Sequence, residues 1–126
     1  MNRLLDDVGV CLGTLGDDPM AVAQNLPAVL EAVSVAGTRS ISLYTFVGGM
    51  YGGQNLRRMI DQNGLRVGAL EAALAWSKGP GEPVRVEAEQ ICDMAELVGA
   101  RRLLAVVLGS SWDRAAALDG LAQLCQ

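Results

Sequence analysis

The sequence predicts an α/β protein of four parallel βα units, half of an eight-stranded (βα)8 barrel, and three observations carry that reading. Short apolar segments rich in β-formers alternate with longer segments of helical periodicity. Glycine recurs between the end of each helix and the next strand, at Gly37, Gly64 and Gly99, about 30 residues apart, the length of one βα unit with its loops. Just over half of the 126 residues are apolar and 19% are charged, a core-rich composition that suits strands covered on both faces. Strands that alternate with helices at this period run parallel, joined by right-handed crossovers.

The opening segment VGVCLGTLG, Val8 to Gly16, is an apolar run ending in Gly and Thr, which suits a buried strand followed by a loop. Asp18 as N-cap and Pro19 at the first helical position start a helix, continued by Val22, Leu26, Val29, Leu30 and Val33. Pro27 falls inside that pattern and kinks or delays it. Gly37 supplies the left-handed terminator, and SISLYTF, Ser40 to Phe46, forms the second strand. A glycine-rich loop, VGGMYGGQ, separates it from a short helix marked by Leu56, Met59 and Ile60 and closed by Asn63-Gly64.

Leu65 to Trp76 then reads as a strand running into the turn-forming segment KGPGEP. A third helix covers about Val84 to Val98 and ends at Gly99. The fourth strand, Arg102 to Gly109, is apolar throughout, as for a strand buried on both faces. Ser111 caps a last helix over Trp112 to Gln126.

Charge and cysteine usage exclude several classes. A formal charge of -4 and a pI near 4.6 argue against nucleic acid, since Arg57-Arg58 and Arg101-Arg102 are the only adjacent basic pairs. No apolar run spans a bilayer and the first residues lack a signal-peptide layout, so no membrane association and a cytoplasmic location are expected. Cys11, Cys92 and Cys125 are widely spaced and there is no His, which excludes a structural zinc site.

Three passages carry a resemblance: AVSVAGTRSISLY (Ala32 to Tyr44), LRRMIDQNGLRVGALEA (Leu56 to Ala72) and EQICDMAELVGARRLLAVVLG (Glu89 to Gly109). In order and spacing they resemble the N-terminal half of the xylose isomerase-like TIM-barrel superfamily, which includes sugar phosphate isomerases and epimerases. The resemblance implies a segment of a metal-dependent sugar (phosphate) isomerase, epimerase or dehydratase acting on a small polyhydroxylated substrate. It also implies a divalent metal, Mn²⁺ or Mg²⁺, in the complete barrel. The family's Glu, Asp, His and Glu ligands come mainly from strands five to eight, so no metal is expected on this chain alone, which would be inactive by itself. Leu43 stands where the second strand often has Glu, and Glu71-Ala72-Ala73 where many members have His. At 126 residues the chain is about half of a full barrel's roughly 250. The expected organisation is one half-barrel domain over residues 1–126, truncated or completed by a partner.

Ligands of parallel sheets bind at the carboxyl ends of the strands. That rule selects Thr14, Asp17, Tyr44, Thr45, Tyr51, Glu71, Trp76, Lys78, Ser110 and Trp112. Glu71 interrupts an apolar run, and strict alternation puts it on the face of Val67 and Ala69. On an interior face it is a candidate catalytic acid or base; at an emerging strand end it would be solvated or paired with Lys78 or an Arg. The others are candidate substrate contacts: the two Trp as stacking faces or core seals, Tyr51 as part of a flexible loop folded over substrate, and the glycine-rich backbone as a receiver of anions. That loop matches neither GxGxxG nor the Walker pattern.

Asp17-Asp18 also invites comparison with response-regulator receiver domains, but the third strand offers Glu71 instead of Asp and there is no fifth strand with Lys. Other readings are a non-catalytic assembly or ligand-binding module that pairs through its open sheet edges as a homo-oligomer, and a small open α/β domain. Two open edges and a mean hydropathy of +0.28 favour association.

Overall fold

The computed structural model describes residues 9–107 and 111–126. It contains strands β1 (Gly9–Cys11), β2 (Ser40–Tyr44), β3 (Arg66–Ala73) and β4 (Leu103–Ala105). The helices are α1 (Pro19–Gln24), α2 (Leu26–Val35), α3 (Val47–Tyr51), α4 (Gly53–Gln62), α5 (Glu82–Val98) and α6 (Arg114–Leu124), with 3-10 turns at Leu12–Thr14 and Ala75–Lys78. All strands are parallel and lie in the order β1-β2-β3-β4.

That order decides the architecture. A doubly wound sheet reverses strand order at a switch point, and none occurs here. Successive right-handed crossovers instead place every connecting helix on one face, as in a (βα)8 barrel. The core forms on that face, where Ile41, Leu43, Val67 and Leu70 pack with Leu26 and Leu30 of α2, Leu56 and Ile60 of α4, and Ile91 and Met94 of α5.

The boundaries follow local chemistry. The Asp18 carboxylate accepts the Met20 amide at 2.9 Å with Pro19 at the first helical position, as the sequence indicates. Pro27 does interrupt the first helical pattern, which restarts at Leu26 after Asn25. Gly37, Gly64 and Gly99 all take positive φ, at 86°, 64° and 71°, the conformation needed to leave a helix for the next strand.

Five expectations are corrected. The first strand, Gly9–Cys11, is exposed to half-buried because it lies at the edge of the sheet, and in the loop after it Thr14 Oγ donates to the Cys11 carbonyl at 2.7 Å. The glycine-rich loop is largely helical, as α3 and the start of α4, with Gly52 between them at φ 74°. Asp113, not Ser111, caps α6 and accepts the Ala116 amide at 2.7 Å. β4 covers three residues and is not buried: Leu104 is 47% exposed on this edge strand. Val67 does not share a face with Glu71, because a register shift pairs Ile41 with Val67 but Ser42 with Ala69. The extra residue, Gly68, is a β-bulge that reverses the alternation of everything after it. Val8, Leu108 and Gly109 of the expected strands lie outside the described residues. Among the described residues no helix is long and apolar enough to cross a membrane.

α6 docks through Gly120, where an added Cβ would run into the backbone of Trp76 and Gly79. Gly120→Ala should therefore destabilise the protein by about 3 kcal/mol or more, read as a lower urea midpoint, because backbone cannot yield as a side chain does.

Candidate functional site

On the face away from the helices, the ladder places Cys11 beside Ser42 and Tyr44 beside Glu71. The Gly68 bulge turns Glu71 to this side, and the residue is only 8% exposed. A carboxylate removed from water needs partners, and two strands supply them. Ser42 Oγ donates to Glu71 Oε1, and Cys11 Sγ donates to the same oxygen at 2.9 Å. The ion pairs between described residues, Arg57 with Asp61 and Arg85 with Glu82 and Glu89, lie on helices, and none involves Glu71.

The turn Leu12–Thr14 lies over this group. A Cβ built on Gly13 would stand 2.7 Å from the Tyr44 hydroxyl and 3.3 Å from Glu71 Oε2. Only glycine lets the turn approach so closely, and the phenol and the free carboxylate oxygen converge beneath it. Burial, then the Glu71 carboxylate and Cys11, push the Tyr44 phenol above its ordinary value of 10.0. Tyr44 thus remains a neutral donor at physiological pH. Its ring stacks on Phe46, with centroids 5.2 Å apart.

The remaining candidates are dispersed. Thr14 is exposed beside Gly13, and Asp17 is exposed before the α1 cap. Thr45 donates its amide to the Glu71 carbonyl at 3.3 Å and borders an open cleft of about 480 Å³ between α3, α4 and α5. Tyr51 lies at the end of α3, where its hydroxyl donates to the carbonyls of Ala23 and Gln24 at 2.7 and 3.0 Å. It ties α3 to the end of α1 instead of sitting in a flexible loop. Trp76 is 8% exposed and belongs to the core, with Nε1 donating to the Ala73 carbonyl at 3.1 Å. Lys78 is exposed at the end of the second 3-10 turn, and Trp112 is 49% exposed ahead of α6. Ser110 lies outside the described residues.

Three contributors escaped sequence reasoning. Cys11 and Ser42 read as ordinary strand residues, and nothing local joins them to a carboxylate 60 and 29 positions away. Glu87 of α5 accepts the amides of Leu74 and Ala75, each at 2.8 Å, and so fixes the loop after β3. A buried-side Glu one turn from the start of a helix, facing a strand end, was the available signal for it.

Among the described residues no three His, Cys, Asp or Glu side chains come together as a metal site. The set around Glu71, one carboxylate with a thiol and two hydroxyls, does not fit the hard-cation centre expected of the complete barrel.

No protein-family model matches the sequence, and no curated protein sequence matches it. Solved structures do match. A sugar phosphate isomerase/epimerase from Parabacteroides distasonis superposes with a TM-score of 0.64 at 14% identity, over 93% of this chain and 44% of its own. A xylose isomerase domain protein from Alicyclobacillus acidocaldarius gives a TM-score of 0.62 at 21% identity, over 94% of this chain and 42% of its own. This likeness shows the fold, four parallel βα units as in part of a TIM barrel, and the chain spans less than half the length of either structure.

The raised phenol makes a signed prediction. Above about pH 10 the unfolded chain releases the Tyr44 proton before the folded protein does, so stability falls as pH rises towards the folded value. Urea denaturation over that range should show a steeper loss for the wild type than for Tyr44→Phe.

Proposed function

We propose that these four units form part of a sugar or sugar phosphate isomerase, epimerase or dehydratase-like barrel in which Glu71 transfers protons. The observation that carries this is a buried carboxylate on the helix-free face, anchored through one oxygen by Ser42 and Cys11 and leaving Oε2 beside the Tyr44 hydroxyl and Gly13. The fold shared with a sugar phosphate isomerase/epimerase supports the substrate class.

The chemistry follows from that geometry. In the proton-transfer route for isomerising or epimerising a hydroxycarbonyl compound, a proton next to the carbonyl is removed and returned elsewhere, and a positioned carboxylate serves both steps. Ser42 and Cys11 fix one oxygen so that Oε2 carries the proton. The neutral Tyr44 hydroxyl donates a hydrogen bond to the substrate oxygen on which charge develops. Thr14 and Thr45, flanking this group along the chain, are the further polar contacts of the proposal; Tyr51 and Trp76 hold the surrounding helices and core.

A divalent metal, Mn²⁺ or Mg²⁺, belongs to the complete barrel in this reading, held by residues outside these four units. Residues 1–126 then act as one half-barrel domain, inactive alone, completed along β1 and β4 by further βα units of the same polypeptide or of a second copy. A cytoplasmic location is part of the same proposal. The exposed Leu104 and the two open strand edges also favour a second reading, a non-catalytic module that self-assembles. Light scattering separates the two, since a stable monomer at high concentration rules out self-assembly.

With Mn²⁺ or Mg²⁺, the 126-residue chain should neither isomerise a panel of ketoses nor bind metal tightly at one equivalent. In the completed barrel, Glu71→Gln should lower kcat by about 10²- to 10⁴-fold, the usual contribution of a general acid-base. Tight metal binding by the chain alone, or an unchanged kcat in the variant, contradicts the proposal.

A further inference from the structure

At the opposite end of the strands, the amino-terminal rim concentrates positive charge in an otherwise acidic protein. Arg66 begins β3, Arg101 and Arg102 immediately precede β4, and Arg57 reaches in from α4. These four arginines and one carboxylate, Asp61, border a cavity of about 530 Å³ whose floor includes Ser40 and Gly99. Four of the ten basic residues of a chain with net charge -4 thus face one hollow.

Their commitments differ. Arg57 Nε is paired with Asp61 at 2.9 Å, and its Nη1 donates to the Leu97 carbonyl at 3.2 Å, covering the last turn of α5. The guanidiniums of Arg101 and Arg102 have no hydrogen bond or ion pair with any described residue. Both residues are exposed. Arginines of neighbouring residues that pair with no described carboxylate gain from a shared dianion. The ends of α4 and α5, which carry partial negative charge, lie at the same rim and attract some of this positive charge. Helix ends do not, however, require a cavity of small-molecule size.

We propose that this rim binds a small molecule carrying a phosphate or diphosphate group, chiefly through Arg101 and Arg102, at a site separate from Glu71. Arg101 and Arg102 both border the cavity, and a planar guanidinium matches the oxygens of such a group bidentately. Ile60, Leu65 and Val98 also border the cavity, and its volume of about 530 Å³ leaves room for an apolar or sugar-like remainder. A phosphorylated effector is the class of ligand that fits, because the site lies at the end of a parallel sheet that stabilises the barrel, remote from the catalytic loops.

Calorimetric titration of the protein with inorganic pyrophosphate, and separately with inorganic phosphate, at a constant ionic strength of about 0.15 M tests this. The expected result is saturable one-to-one binding, tighter for pyrophosphate. Arg101→Ala/Arg102→Ala should weaken it by about tenfold or more. Arg101→Lys/Arg102→Lys, which keeps the charge but loses the fork, should weaken it less and serves as the control if the alanine variant folds poorly by circular dichroism. Glu71→Gln should leave binding unchanged. Absence of saturable binding, equal affinity in the alanine variant, or loss of binding in Glu71→Gln would each overturn the proposal. A lower melting temperature with unchanged pyrophosphate affinity would do so too, by showing that these arginines serve only the helix ends.

Discussion

Everything in this structure depends on one constraint: parallel strands laid down in sequential order with right-handed crossovers keep all connecting helices on a single face. The helices and the apolar sides of β2 and β3 make the core. Among the described residues the other face receives no helix, yet it holds Ser40, Ser42, Tyr44 and Glu71, each less than a tenth exposed. A sheet that buries polar side chains on its uncovered face is arranged around something other than packing. Here that arrangement is a hydrogen-bonded group from three strands, drawn around one carboxylate.

The carboxylate reaches that face through a backbone irregularity. Without the bulge at Gly68, alternation would set Glu71 among the helices, where a charge without partners is expensive. Gly68 suits the bulge because a Cβ there would stand 2.6 Å from Ser40 Oγ. Glycine acts again at Gly13, which lets the first turn close over Tyr44 and Glu71. Two residues that contribute no side chain thereby determine where the functional ones point.

Much of the fold was legible because its signals are local. Asp18-Pro19, the terminators Gly37, Gly64 and Gly99, and the apolar runs of β2 and β3 each act within a few residues. What was hidden depends on pairing between distant segments. The reversed alternation after Gly68 is set by the register with β2, and the exposure of Leu104 by the sheet edge, although LLAVV reads as a buried strand. In the same way, VGGMYGGQ looked like a loop because glycine lowers helix propensity, yet Val47 is fully buried and Tyr51 binds the end of α1, and these contacts outweigh propensity. Glu71 itself stood out as a charge in an apolar run. Its partners Cys11 and Ser42 did not, since small residues in strands look alike whichever face they occupy. Trp76, read as a stacking face or a core seal, lies in the core beside α6.

The most direct test is a double-mutant cycle on the contact that holds the carboxylate, with Ser42→Ala and Glu71→Leu measured singly and together by urea denaturation. The account predicts that Ser42→Ala is costly only while Glu71 is present, with a coupling of about 1–3 kcal/mol. Effects that add to within about 0.5 kcal/mol would show that the two side chains do not meet, and would remove Glu71 from the helix-free face.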